Sequence, residues 1–289
     1  MEQVDTNIHQ GSDEWKALLS KTIGSSDAAV IMGVSPYKTR YQLWSEMVSC
    51  QRQEIDNPAM AYGRKNEPFA RQLFEEYIGC TMLTPVLLHP LDHRIRASYD
   101  GMNLEKTIAC EIKCCNLDEF NLVEKGVVPA RYVPQLQHLM MVASLKKIYY
   151  VAFHGGEISV VEVESDEHYI DRLFFEEQKF LAMVEILEAP ELCDKDYVER
   201  DEDLWKVCAT KWKIVNRQLK GLEDEEQSLR KVLIGLSMGQ SSKGAGIQVV
   251  RSMRKGSVDY EKMIKKENLD LEIYRRPSVE TWRISESRR

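Results

Sequence analysis

Residues 98–102 read SYDGM and residues 109–115 read ACEIKCC, and the fold hangs on how these two stretches meet. On an extended chain alternate side chains share a face, so Glu111 and Lys113 project together while Ile112 points the other way, into a core. An otherwise apolar strand carrying a carboxylate beside an amine needs a reason, because burying either charge alone is costly. Asp100 precedes a glycine turn that leads toward this strand, which allows a second carboxylate to sit beside Glu111. Such a group suits hydrolysis of a phosphodiester. Oxygen ligands hold a hard divalent cation, and the ammonium orients water or offsets the charge developing on phosphorus. Taken alone, the spacing also describes an edge strand with a local salt bridge, so the surrounding sequence has to separate the two readings.

Upstream, Phe69, Leu73, Phe74 and Tyr77 recur at three- and four-residue steps and predict a helix from about Asn66 to Ile78, with Glu67 in its first turn. The stretch GSSDAAVIMGVSPYKTRYQLW (24–44) predicts a short helix capped by Ser26 or Asp27, a break at Gly33 and Pro36, and a second helix capped by Thr39. Strands are expected at Thr81–Leu88, Ile95–Ser98 and Thr107–Cys114. A helix over Pro129–Leu145 follows, then two strands, Lys147–His154 and Glu157–Glu164, joined at Gly155-Gly156, and a helix from about Ser165 to Ile186. The fold class is therefore α/β, with a small mixed central sheet flanked by helices.

Beyond Pro190 the pattern changes. Cys208, Trp212, Val215, Leu219, Leu222, Glu226, Leu229, Leu233 and Leu236 alternate steps of four and three, a heptad seam on a long helix or helical hairpin, with Gly221 and Glu226 as weak points. GQSSKGAG (239–246) reads as a linker, and a small unit with strands at Ile247–Met253 and Glu280–Ile284 and a helix near Tyr260–Lys266 closes the chain. Three segments are expected: 1–190, 191–240 and 241–289.

The whole chain of 289 residues carries a net charge of −7, which argues against coating nucleic acid by bulk attraction. Residues 240–289, however, hold 12 basic against 7 acidic side chains, so positive charge is segregated toward the C-terminus. No stretch approaches the ~18 apolar residues of a membrane helix, and the N-terminal sequence has no signal pattern, so a cytoplasmic protein with no membrane partner is expected. Seven scattered cysteines lack zinc spacing and read as reduced, mostly buried thiols.

The stretches IGSSDAAVIMGVSPYKTRYQLW (23–44), YGRKNEPFARQLFEEY (62–77), HPLDHRIRASYDGM (89–102), CEIKC (110–114) and YVPQLQHLMMV (132–142) stand in an order that resembles the YqaJ-type viral recombinases. These are similar to lambda exonuclease and fall within the PD-(D/E)XK nucleases. The resemblance spans roughly residues 10–185. It implies that Glu67, Asp100 and Glu111 hold metal, that Ile112 lends a backbone carbonyl, and that Lys113 and Gln135 complete the catalytic group. It further implies that Ser26 and Ser98 help bind a terminal 5′-phosphate. An arginine usual before the G-x-S segment is replaced here by KALLSK (16–21), leaving Lys21 or Lys16, neither with the bidentate fork of arginine. Arg64 is a further candidate for a DNA phosphate contact. By the same resemblance, Tyr99 stands where those proteins carry proline before the aspartate that matches Asp100, and Asp92 is a candidate for an additional acid.

The activity implied is Mg²⁺-dependent 5′-to-3′ digestion of linear double-stranded DNA, with two ions and Mn²⁺ as a substitute, producing 3′ single strands for a single-strand annealing protein. The partners implied are double-stranded DNA ends, that annealing protein and further copies of the chain in a trimeric ring. A structure-specific or site-specific endonuclease of the same fold, and a non-catalytic DNA-binding or scaffold module, are the alternatives. His89 and His138 read as structural hydrogen bonders rather than ligands.

Overall fold

The computed structural model describes residues 4–6, 8, 12–19, 21–49, 58–267 and 281–286. The chain gathers into two compact units, residues 1–198 and 199–289. The first opens with β1 (Val4–Asp5), α1 (Asp13–Leu19), β2 (Ile23–Gly24), α2 (Ser25–Ile31) and α3 (Arg40–Val48). The long α4 (Pro58–Ile78) leads to β3 (Val86–Leu88), β4 (Ile95–Ser98), β5 (Gly101–Met102) and β6 (Ala109–Cys114). Then come α5 (Leu117–Glu124), α6 (Val133–Ala143), the hairpin of β7 (Lys147–His154) and β8 (Glu157–Glu164), and α7 (Glu167–Glu185).

Two four-stranded mixed sheets result, ordered β1-β3-β4-β2 and β5-β6-β7-β8. Strand β2 runs parallel to β4, and β6 parallel to β7, the second pair joined by a crossover that contains α5 and α6. The chain passes from one sheet to the other over Tyr99 and Asp100, so Asp100 stands at the junction. One apolar cluster packs α6 and α7 against β4 and β7 through Leu136, Leu139, Met140, Phe180, Ala97 and Tyr150. A second presses Ala70 and Phe74 of α4 onto Ile112, Val151 and Phe153, which fixes α4 against the face of β6 where Ile112 points.

Several boundaries differ from expectation for local reasons. The cap of α2 is Gly24 rather than Ser26 or Asp27, because β2 runs straight into the helix and the Asp27 carboxylate accepts the Gly24 N–H at 2.9 Å. Thr39 does cap α3, accepting the Gln42 N–H at 3.1 Å. Helix α4 starts at Pro58, earlier than the apolar period shows, with proline's fixed φ suited to a first turn. The strand expected from Thr81 is confined to Val86–Leu88, apart from a single bridge at Leu83, since Pro85 has no N–H for a ladder. Strand β6 begins at Ala109 because the Thr107 and Ile108 amides donate to the Asn103 side chain instead. A 3₁₀ turn at Ala130–Tyr132 precedes α6, so the helix expected from Pro129 starts at Val133.

In the second unit, α8 (Asp203–Leu236) is one uninterrupted helix with none of its residues buried. The expected linker is instead part of a hairpin: β9 (Ser242–Gly244) pairs with β10 (Ile247–Val249) across Ala245 and Gly246, both at positive φ as a two-residue turn of this hand requires. That strand ends at Val249 rather than Met253, and α9 spans Tyr260–Glu267. No strand forms over 281–286, while Glu280 lies outside the described residues. Of the thiols, Cys110 alone among the described ones is buried; Cys193 and Cys208 are exposed, which corrects the expectation of a mostly buried set, and Cys50 lies outside the described residues.

Candidate active site

Strand β6 delivers Glu111 and Lys113 on one face as the alternation predicts, with Ile112 in the core on the other. Glu111 is almost wholly buried, at 2% exposure, and its Oε1 accepts from Lys113 Nζ at 2.5 Å and from Gln135 Nε2 of α6 at 2.6 Å. Asp100 closes the group from the junction between the sheets, its Oδ2 accepting the Ile112 N–H at 2.8 Å. The N–H and C=O of one strand residue face the same edge, so the Ile112 carbonyl also faces the Asp100 side, away from β7. Glu67 enters from α4, paired with Arg71 at 2.5 Å, and Arg71 also donates to the Asp100 carbonyl. Pro68, one residue on, supplies no N–H to the helix ladder at this turn.

Gly101 makes the junction possible: a Cβ there would lie 2.6 Å from Cys110 Sγ and 3.2 Å from Met82 Cβ. Tyr99 is fully buried and donates its hydroxyl to the Leu139 carbonyl at 2.7 Å, so a hydrogen bond to α6 holds the turn before Asp100.

The electrostatics follow from crowding carboxylates in a poorly solvated place. Burial and then the Asp100 charge push the Glu111 carboxyl up to about 8. Burial also raises Asp100, against the opposing pull of Lys113, the Ile112 amide and Arg71, and burial with the Asp100 charge raises Glu67. Burial alone would lower Lys113, but Glu111 and Asp100 outweigh it and hold the ammonium well above its ordinary value. Lys113 is therefore a fixed cation, further positioned 5.4 Å over the Tyr132 ring, and it is suited to stabilising negative charge rather than to taking a proton.

Among the described residues no three His, Cys, Asp or Glu side chains form a closed metal cage. Mg²⁺ takes few carboxylates and fills its remaining positions with water and phosphate oxygens. The residues fit such an ion: Asp100 and Glu111 crowd together with raised pKa values, and the Ile112 carbonyl faces the same side.

Of the other expected residues, Ser26 is exposed in the first turn of α2 and Ser98 ends β4. The pairing of Gly24 with Arg96 brings the backbones of their two segments side by side. Lys21 is exposed just before β2, and Arg64 is exposed one turn before Glu67; the side chain of Lys16 lies outside the described residues. Asp92 is held by Arg94 at 2.6 Å in its own loop, and hydrogen bonds from Arg94 keep its carboxyl below the ordinary range, so it stays ionised with no proton to donate near neutral pH. His138 and His89 are structural: His138 lies wholly buried between Glu177 and the Arg96 carbonyl, and the His89 ring packs at a tilt against Phe174, 4.8 Å between centroids.

Arg96 is the functional candidate that sequence reasoning missed. It is 4% exposed, donates to Ser98 Oγ at 2.8 Å and to Thr22 Oγ1 at 3.2 Å, and its guanidinium lies against Gly24. The signal was its place two residues before Ser98, the alternation step that puts both side chains on one strand face.

Residues 14–146 match the YqaJ-like viral recombinase domain. The uncharacterised protein YqaJ of Bacillus subtilis (strain 168) is 31% identical over 183 residues, covering 60% of this chain and 56% of that protein. Protein D345L of African swine fever virus (strain Badajoz 1971 Vero-adapted) is 28% identical over 157 residues, covering 44% of each. The chain thus spans about half the length of these curated relatives. Among solved structures, LHK-Exo in complex with dAMP superposes with a TM-score of 0.55 at 26% identity, covering 61% of this chain and 94% of that one. Another structure of LHK-Exo, the alkaline exonuclease from Laribacter hongkongensis, gives the same TM-score of 0.55 at 24% identity and supports the fold. The turn bearing Asp100, the E-x-K strand and the glutamine-bearing helix all lie inside the matched segment, so residues 14–146 of this chain are similar to a YqaJ-like viral recombinase domain.

Proposed function

We propose that this chain is a Mg²⁺-dependent exonuclease that digests linear double-stranded DNA from 5′ to 3′, leaving 3′ single strands for a single-strand annealing protein. The observation that carries the reading is the convergence of Asp100, Glu111, Lys113 and Gln135, approached by Glu67, at the junction of two sheets. Asp100, Glu111, the Ile112 carbonyl and, for a second ion, Glu67 would hold the metal. The bound ion supplies Lewis-acid activation of water and screens the phosphate. Lys113 offsets charge on the phosphorane, while Gln135 holds Glu111 in place and keeps its carboxylate aimed at the junction.

Arg96, Ser98, Ser26 and Lys21 form the proposed 5′-phosphate subsite, with Arg96 supplying the fork that Lys21 lacks, and Arg64 contacts the duplex backbone. Chemistry is assigned to 1–190, followed by a helical segment over 191–240 and a basic appendage over 241–289. Mn²⁺ substitutes for Mg²⁺, copies assemble as a trimeric ring, and the enzyme acts in the cytoplasm of a bacterial or phage-infected cell. No described helix is long and apolar enough to cross a membrane.

The test is digestion of linear duplexes bearing a 5′-phosphate or 5′-hydroxyl, beside closed circular DNA, with Mg²⁺ or EDTA. Mg²⁺-dependent loss of the 5′ strands, sparing the circle and reduced at least about a hundredfold by Lys113→Ala, is expected. Arg96→Gln should abolish the preference for the phosphorylated end while leaving residual cutting. Nicking of the circle would indicate an endonuclease instead, and binding without any Lys113-dependent cleavage a scaffold.

A further inference from the structure

Charge is sorted along α8. Residues 204–222 hold Lys206, Lys211, Lys213, Arg217 and Lys220 with no acidic side chain among them, whereas Glu223, Asp224, Glu225 and Glu226 follow directly. Lys213, Arg217 and Lys220 stand at i, i+4 and i+7, an exposed row on one face that extends about 10 Å along the helix. The row lies on the side opposite Val215 and Leu222 of the apolar seam. Like charges at these spacings repel, so the row weakens the isolated helix and calls for an anion from outside it. Among the described residues neither Lys213 nor Lys220 makes an ion pair, while Lys206 is held by Asp201 at 2.6 Å and stays outside the row. Arg217 already faces an anion of this chain: Glu286 stands 3.7 Å away, beyond hydrogen-bond length, and 74% of the arginine side chain is still exposed. That contact is loose enough to be displaced. Trp205 and Trp212, seven residues apart, occupy the flank about 100° round the helix from the row, Trp205 58% exposed and Trp212 partly so.

We propose that this half of α8 binds single-stranded DNA, with phosphates along Lys213, Arg217 and Lys220 and bases stacked on Trp205 and Trp212. Phosphate oxygens answer the row of charge, and the tryptophan flank selects a single strand, because a duplex keeps its base faces stacked inside while a single strand offers them. Glu286 sits at the row when the strand is absent and gives way when it binds. Naming that strand as the 3′ product of the proposed digestion rests on the nuclease reading; the binding itself uses none of the residues around Glu111.

Fluorescence anisotropy of a labelled, mixed-sequence single strand with the full chain, in EDTA so that nothing is cut, provides the test. Lys213→Gln with Lys220→Gln should weaken binding about tenfold near physiological salt and make the plot of log affinity against log salt shallower by about 1.4, two contacts at ~0.7 each. Trp205→Ala should weaken the single strand at least about fivefold and leave heparin, a polyanion without bases, unaffected. Glu286→Gln should tighten both. An unchanged salt slope in the double variant, equal losses for heparin and single strand in Trp205→Ala, or closed circular duplex that competes as well as unlabelled single strand would overturn the proposal. Far-ultraviolet circular dichroism checks that the variants keep the helix. Mg²⁺-dependent digestion of linear duplex should persist in the double variant, which keeps failure of this site distinct from failure of the nuclease reading.

Discussion

Arg96 lies so close to Gly24 that a Cβ there would stand 2.4 Å from its Nη2. The obstructing atom is the tip of a flexible side chain, and the Gly24 backbone, at φ −120, suits any residue. Gly24→Ala should therefore fold with a near-normal melting temperature yet displace the guanidinium, erasing discrimination between 5′-phosphate and 5′-hydroxyl ends. Unchanged discrimination, read from competing labelled duplexes, would remove Arg96 from the subsite. Gly101→Ala is the contrast: its Cβ meets Cys110 Sγ and the Met82 side chain inside the core, so the expected loss is of stability first. At this scale the sequence was informative where strand alternation carried the signal, as for Glu111, Lys113 and Ile112. Arg96 escaped because an arginine alternating with Ile95 and Ala97 reads as a solvent-facing residue. Its burial comes from a parallel partner, β2, that lies more than seventy residues away in the chain.

Helix α6 ties its neighbours together with polar side chains that periodicity alone would assign to apolar packing. His138 presents Nδ1 to Glu177 at 2.7 Å and Nε2 to the Arg96 carbonyl at 2.9 Å, so both ring nitrogens face acceptors. Burial alone would lower its pKa, but the Glu177 charge, the Glu177 hydrogen bond and the Arg96 carbonyl outweigh it and hold it above the ordinary value. A raised folded pKa gives stability that is fully present below the unfolded value near 6.5 and lost as pH rises through the folded one. Glu177→Gln should remove the pair's contribution at pH 6, where burial then leaves His138 neutral, with the difference from wild type shrinking at alkaline pH. Denaturant titrations at a series of pH values check this, and a difference independent of pH would rule out the charged pair. Element types along 58–186 were legible from period and turn residues except for α5, a helix of eight residues too short to show a period, and their ends were set by single side chains such as Asn103 and Pro85. The linker over 239–246 was misread because Ala245 and Gly246, a flexible pair by composition, form the tight turn of a hairpin.

For the whole molecule, drawing Glu67, Asp100 and Glu111 to one junction makes stability depend on pH and on divalent ions together. Burial raises all three carboxyl groups, Glu111 to about 8, so the folded chain holds protons that the unfolded chain releases. The unfolded state binds fewer protons between the ordinary value of 4.5 and about 8, hence metal-free stability must fall as pH rises through that window. Lys113 stays charged throughout, because its own value is raised. A divalent ion reverses the penalty by favouring the ionised carboxylates, and its binding must release protons within the same window. The increase in melting temperature produced by Mg²⁺ should accordingly be small at pH 5 and grow toward pH 8, with affinity tightening in parallel. Glu111→Gln removes the main ionising group, so it should flatten the metal-free slope and reduce the Mg²⁺ response most at pH 8. His138 also weakens folding at alkaline pH, and the difference between wild type and Glu111→Gln separates the two contributions. A Mg²⁺ response that is constant from pH 5 to 8, or untouched by Glu111→Gln, would place the ion elsewhere than at the junction of the two sheets.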